Sequence, residues 1–205
     1  MHDIWVQILT AWQAQSGLEV IAVLAAIMYL VLAIKENIWC WLFAFISTAI
    51  YIYLFHSVSL LSESLLNVYY LIMAVYGWYQ WRNGHLNQQR SITSWSWQKH
   101  ITLILLTGSL VPILGYSMQK LGASIPYLDA FTTCFAVLAT IMVAHKVLQN
   151  WHYWLVINVT SVYIFTQKEL FLTAAMFVLY VILTIIGYIK WSHEYAQQRT
   201  LATPT

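Results

Sequence analysis

Charge is what this chain has least of. Only 8% of its 205 residues are Asp, Glu, Lys or Arg, against 61% hydrophobic, whereas ordinary soluble domains carry roughly 25% charged residues. With a mean hydropathy of +0.68, this excludes a soluble domain and makes the chain an integral membrane protein. A net charge of only +2, with basic residues scattered at segment ends, gives no nucleic-acid surface. Cysteine is scarce as well: Cys40 and Cys134 both fall in apolar segments and read as ordinary membrane packing, without disulfide or metal. Carboxylates are missing from depth. Glu63 and Asp129 lie near segment ends, and Glu36, Glu169 and Glu194 sit at boundaries, which argues against obligatory ion coupling. His56, His145 and His152 fall at helix ends and the other four histidines in loops or termini, so no facing pair suits a haem or a membrane enzyme. No catalytic residue or cofactor is expected.

At about 20 apolar residues per crossing of a hydrocarbon core about 30 Å thick, the length accommodates about seven or eight helices. Seven candidates follow from apolar runs separated by short polar breaks, at 18–35, 38–55, 60–82, 98–119, 125–146, 151–167 and 170–191. The segment 1–17 alternates polar and apolar residues, with no basic start and no small-residue cleavage site, and reads as an interfacial helix. Lysine and arginine fix the expected orientation. One side receives Lys35, Arg82, Arg90, Lys99, Lys146, Lys190 and Arg199, the other only Lys120 and Lys168. The N-terminus is expected outside and the C-terminus in the cytoplasm.

The chain echoes itself. Asn37 and Trp41 match Asn150 and Trp154 at an offset of 113, while Tyr70, Gly77 and Trp81 match Tyr180, Gly187 and Trp191 at 110. A three-residue length difference inside the second helix of each unit would account for the change. The expected plan is an all-α membrane protein of two parallel three-helix repeats, 18–82 and 125–191. A cytoplasmic loop at 83–97 and a linking helix at 98–119 join them, and a cytoplasmic tail at 192–205 follows. Parallel repeats about an axis normal to the membrane are a transporter arrangement, with substrate held between the halves.

Polar and aromatic residues line single faces of four helices. Glu63, Asn67 and Tyr70 share one, Trp151, Trp154, Asn158 and Ser161 a second, Thr173, Phe177, Tyr180 and Thr184 a third, and Ser47 and Tyr51 a fourth. An unpaired amide in hydrocarbon is costly, so Asn67 and Asn158 should face protein, water or ligand. Rings that stack and amides that read donors and acceptors suit a flat heteroaromatic ligand, and a positively charged ring gains cation–π attraction. A vitamin or nucleoside fits better than an ion. The candidate substrate-binding residues are Asn67, Tyr70, Trp151, Trp154, Asn158, Ser47, Tyr51, Phe177, Tyr180 and Glu63.

Asn67-x-x-Tyr70 followed by Tyr76-Gly77-Trp78-Tyr79-x-Trp81, together with the block NWxxWLxxNxxSVYIF at residues 150 to 165, resembles the PnuC family of bacterial vitamin transporters, over roughly residues 18 to 191. The resemblance implies a relative of the SWEET sugar transporters in fold and facilitated diffusion of nicotinamide riboside across the bacterial inner membrane. It also implies trapping of the product by a cytoplasmic kinase and no ATP site, and no glycine-rich phosphate loop contradicts this. Family members for thiamine and riboflavin leave those two substrates open. One departure is Lys168-Glu169, where a lysine followed by glycine is expected. No segment carries a clear self-association motif, and oligomerisation stays open.

Overall fold

The computed structural model describes residues 17–57, 61–82 and 91–202, with the side chains of 55–57, 61–65 and 202 excepted. The interfacial helix expected over 1–17 and the loop residues 83–90 therefore lie outside the described residues. Seven helices run through the rest, with no strand among the described residues: α1 (Gly17–Ile34), α2 (Cys40–Ser57), α3 (Leu61–Arg82), α4 (Trp97–Lys120), α5 (Pro126–Ala144), α6 (Asn150–Gln167) and α7 (Phe171–Ala202). Six of the expected spans agree to within a few residues. The seventh helix instead runs eleven residues beyond the expected end at 191, because Ser192 to Ala202 offers neither proline nor glycine to stop it.

Helices α1, α4, α5 and α7 are each long and apolar enough to cross a membrane. α3 and α6 carry Asn67, Gln80, Asn150 and Asn158, which dilute their apolar content, yet each still exposes an apolar stripe, Ile72 and Val75 on α3 and Val156 and Val159 on α6. Pro126 opens α5 at a position where its missing N–H has no partner to lose. Leu105, Leu106, Leu110 and Ile113 of α4 are largely exposed, an apolar face suited to lipid.

The packing order repeats. α1 packs on α2 and α2 on α3; α5 packs on α6 and α6 on α7; α4 lies against α5. Among the described residues the helices of the two halves meet mainly through α3 with α5 and α7 with α1, so the last helix of each half meets the first helix of the other. Residues 110 apart make the same bonds. The α1–α2 turn closes with Glu36 N–H on the Ala33 carbonyl and Asn37 N–H on Leu32, and the α5–α6 turn with Lys146 N–H on Val143 and Val147 N–H on Met142. Cys40 N–H donates to Asn37, and Asn150 N–H to Val147.

That uniform register corrects the offset of 113 expected for the second helices. Trp41 corresponds to Trp151, not to Trp154, and no length difference is needed. A Cβ placed on Gly77 would overlap the Trp41 ring, and one on Gly187 would overlap the Trp151 ring. Two tryptophans one turn apart in α6 let the wrong one align in sequence; only the docking of each ring on a glycine separates them.

Candidate functional site

The first turns of α2 and α6, the last turn of α3 and the stretch of α7 around Trp191 build a layer of four tryptophans at the end of the bundle that carries Lys35, Arg82 and Lys146. Trp41 meets Trp81 edge-on at 5.5 Å and 87°. Trp151 meets Trp191 at 5.3 Å and 89°. The two pairs touch through Trp81 and Trp191, 6.3 Å apart. Each closing ring also reaches into the other half: Trp81 Nε1 donates to the Val143 carbonyl and Trp191 Nε1 to that of Ala33, both at 3.2 Å. Those acceptors are themselves 110 residues apart. Edge-to-face rings add roughly 1 kcal/mol per pair beyond their burial.

An ion pair crosses the same boundary. Lys146 Nζ lies 2.8 Å from Glu36 Oε2, with side-chain exposures of 1% and 11%. The ammonium also sits 4.6 Å from the centre of the Trp81 ring, in cation–π range. Both residues adopt left-handed backbone, φ 53° and 50°, uncommon without glycine. A segment leading into α4 straps the second turn from outside: Thr93 N–H donates to the Lys146 carbonyl at 2.9 Å and Leu148 N–H to Thr93 at 2.8 Å. Glu194 of α7 hydrogen-bonds Glu36 and lies 3.7 Å from Lys190. The bond to Glu36, burial and the Glu36 charge together push the Glu194 carboxyl up to about 7.

Toward the middle of the bundle the symmetry breaks. Asn158 Nδ2 donates to Thr184 Oγ1 at 3.0 Å, and Thr184 Oγ1 donates to the Tyr180 carbonyl at 2.7 Å. Asn158, Ser161 and Thr184 are all buried. The positions 110 residues before Asn158, Trp154 and Thr184 hold Thr48, Ala44 and Ala74, which cannot reproduce that network. Trp154 and Tyr70, from opposite halves, pack on one cluster of Phe135, Ala136, Ala139 and Ile157. Tyr69, beside Tyr70, ties α3 to α5 through a 2.9 Å bond from its hydroxyl to the Val137 carbonyl. Tyr51 and Tyr180 lie within electrostatic range across the halves. Phe177 stacks on Phe165 at 5.2 Å and meets Tyr180 edge-on.

The structure sorts the ten candidates unevenly. Tyr70, Trp154, Asn158, Tyr180 and Tyr51 fall in or beside this central layer, and half-buried Asn67 precedes Tyr70 by three residues on the same face of α3. Phe177 belongs to an aromatic wall one turn beyond Tyr180. Trp151 is not beside them: it is 2% exposed, seated on Gly187 in the tryptophan layer. Ser47 spends its hydrogen on the Ala22 carbonyl at 2.9 Å and pins α2 to α1. The Glu63 side chain lies outside the described residues. Lys168, at the departure from the expected lysine-glycine turn, pairs with Asp129 at 2.9 Å, and Glu169 takes the left-handed conformation there, φ 58°. Sequence reasoning missed the Glu36–Lys146 pair; a uniform 110-residue alignment, which sets opposite charges at equivalent turn positions, would have exposed it.

The family model described as nicotinamide mononucleotide transporter matches residues 16–193. The chain is 27% identical over 199 residues to the nicotinamide riboside transporter PnuC of Escherichia coli (strain K12), covering 84% of this chain and 82% of that protein. It is 26% identical over 190 residues to the protein of the same name from Neisseria mucosa, covering 86% and 72%. A crystal structure of the vitamin B3 transporter PnuC shares the fold, with a TM-score of 0.74 at 20% identity over 96% of this chain and 93% of that one. With its helical architecture and a match over most of its length, this chain is an integral membrane protein of the nicotinamide mononucleotide transporter family, the family of the PnuC proteins.

Proposed function

We propose that this protein carries nicotinamide riboside into the bacterial cytoplasm by facilitated diffusion, held between its two three-helix halves. The observation that carries the reading is the central layer, where Trp154 and Tyr70 approach from opposite halves beside the amide of Asn158. The rings suit a flat, fixed-charge pyridinium, which gains both stacking and cation–π attraction. Amide and hydroxyl groups suit the carboxamide and the ribose. A nucleoside is favoured over its phosphorylated form by charge. Every lysine and arginine among the described residues sits at a turn, in the first or last turn of a helix, or in α7 beyond Gly187, so the middle of the bundle offers a phosphate dianion no cation.

Binding of equal strength from either side drives no accumulation, so uptake depends on removal of the product. Phosphorylation by a cytoplasmic kinase does this, because the added charge makes the product a poor ligand for such a site. The tryptophan layer and the Glu36–Lys146 pair would form the cytoplasmic gate, opened when the halves rock apart. Seven basic residues at that end against two at the other support a cytoplasmic C-terminus.

Titration of the purified protein with nicotinamide riboside, thiamine, riboflavin and nicotinamide mononucleotide tests the substrate, and uptake into liposomes with and without an enclosed kinase tests the mechanism. Saturable binding of nicotinamide riboside alone, with net accumulation only beside the kinase, is the expected result. Preference for thiamine or riboflavin would overturn the substrate; accumulation in empty liposomes would overturn facilitated diffusion.

A further inference from the structure

The bond between Asn158 and Thr184 has a direction, and the direction is set by a third group. A threonine hydroxyl has one hydrogen to give. That of Thr184 goes to the Tyr180 carbonyl one turn back on its own helix, 2.7 Å away. What Thr184 offers Asn158 at 3.0 Å is therefore a lone pair, and the amide must turn its nitrogen toward α7. The amide oxygen then faces the other way. Asparagine alone reads donors and acceptors equally well; asparagine held by this hydroxyl presents an acceptor. Thr184 is 1% exposed, so no water competes for its lone pairs. The device belongs to one half only. The equivalent Thr48 turns its hydroxyl back on the Ala44 carbonyl at 2.8 Å, and Ala74 stands where Thr184 would. Gly77 and Gly187, and the four tryptophans, repeat faithfully, whereas this layer does not.

We propose that Thr184 is a positioning residue that fixes the polarity of the Asn158 amide, so that the site takes its ligand through a hydrogen-bond donor. The donor is a carboxamide N–H or a ribose hydroxyl. This rests on the reading of Asn158 as a binding residue. A site built this way rejects an analogue lacking the donor, because the buried acceptor is then left unpaired. Where the donor is the carboxamide, the carboxylate analogue is rejected further by the repulsion of two acceptors.

The test is calorimetric titration of the full-length protein with three ligands: nicotinamide riboside, its carboxylate analogue nicotinic acid riboside, and a deoxyribose analogue. The parent protein is compared with Thr184→Val, Thr184→Ser and Asn158→Leu. The parent should prefer nicotinamide riboside over one analogue by roughly tenfold or more. The analogue refused names the donor, carboxamide or hydroxyl. Thr184→Val frees the amide to turn over and should bring that ratio within about threefold, while Thr184→Ser, which keeps the hydroxyl, restores it. A packing role alone would weaken all ligands in proportion and leave the ratio untouched, and that result overturns the proposal. So does a parent that binds all three ligands equally. If Thr184→Val fails to fold, Thr184→Ala set against Thr184→Ser gives the same comparison. Asn158→Leu separates the two levels. If affinity stays within about twofold of the parent, the binding-residue reading falls and takes this proposal with it. If affinity collapses while the Thr184 variants keep the parental ratio, only the positioning role falls.

Discussion

Glu36 and Lys146 occupy the same place in the two halves, 110 residues apart, and their charged ends meet at 2.8 Å across the boundary between them. Each sits at the left-handed residue of the turn joining the first and second helices of its half. A two-fold relationship brings equivalent positions face to face near its axis, so equivalent residues there either repel or must differ. Here they differ in sign. The pair thus bridges the halves at the point where a rocking motion would part them.

Removing one partner strands the other. Lys146→Met leaves Glu36 without its counter-ion, and Glu36→Gln leaves an ammonium that is 1% exposed. Breaking a buried pair costs about 3 kcal/mol or more, and here about 2 because Glu36 keeps some access to water. Thermal melting in detergent should show either variant several degrees below the parent. Glu36→Lys combined with Lys146→Glu restores opposite charges and should recover part of the loss; a double variant less stable than both single ones contradicts the account.

Gly77→Ala and Gly187→Ala should behave alike. Each added methyl meets the ring of Trp41 or Trp151, which must move within the tryptophan layer. Overpacking of this kind costs about 1–3 kcal/mol. Gly108→Ala is the control, with nothing near its Cβ, and should be neutral or slightly stabilising, because alanine is the better helix former by about 1 kcal/mol. Melting temperature and tryptophan emission report both effects. A silent Gly187→Ala beside a damaging Gly77→Ala would break the equivalence of the halves.

The Glu194 carboxyl, pushed up to about 7 by its bond to Glu36, makes the surroundings of the Glu36–Lys146 pair respond to pH. Its proton is held more tightly in the folded state than in the unfolded one. The stabilisation is therefore fully present below the ordinary carboxyl range near 4.5 and is lost as pH rises through about 7. The groups facing it are Glu36, Lys146 and Lys190. Glu194→Gln keeps a hydrogen-bond donor for Glu36 without titrating, so the difference in melting temperature between parent and variant should grow from pH 5 to pH 8 in the variant's favour. A constant difference over that range contradicts the assignment.

Much of the fold was legible. Low charge and long apolar runs give the class and the seven helices because a lipid-exposed backbone must satisfy its own hydrogen bonds, and the echo of Gly77 and Trp81 in Gly187 and Trp191 gives the two halves. The register of α6 was not legible. Trp151 and Trp154 are chemically interchangeable in sequence, and only the close approach of one ring to Gly187 tells them apart. The placement of the candidate residues was legible only as faces of helices, for the same reason. Helical spacing puts Trp151, Trp154 and Asn158 on one face, but only the structure shows Trp151 seated on Gly187 and Trp154 reaching the Phe135 and Ile157 cluster as well. Spacing puts Ser47 beside Tyr51 on a polar face but cannot reveal that its hydroxyl is already bonded to Ala22. Glu36 and Lys146 lie 110 residues apart, and no local pattern couples them.

The most direct test of the central claim is calorimetric titration of nicotinamide riboside into the purified protein and into Asn158→Leu, with nicotinamide mononucleotide as the charged competitor. The account predicts saturable, micromolar or tighter binding of the riboside to the parent, loss of binding in Asn158→Leu with melting temperature retained, and no competition by the mononucleotide. Equal binding of the riboside by parent and variant, or binding of the mononucleotide as tight as that of the riboside, would contradict it.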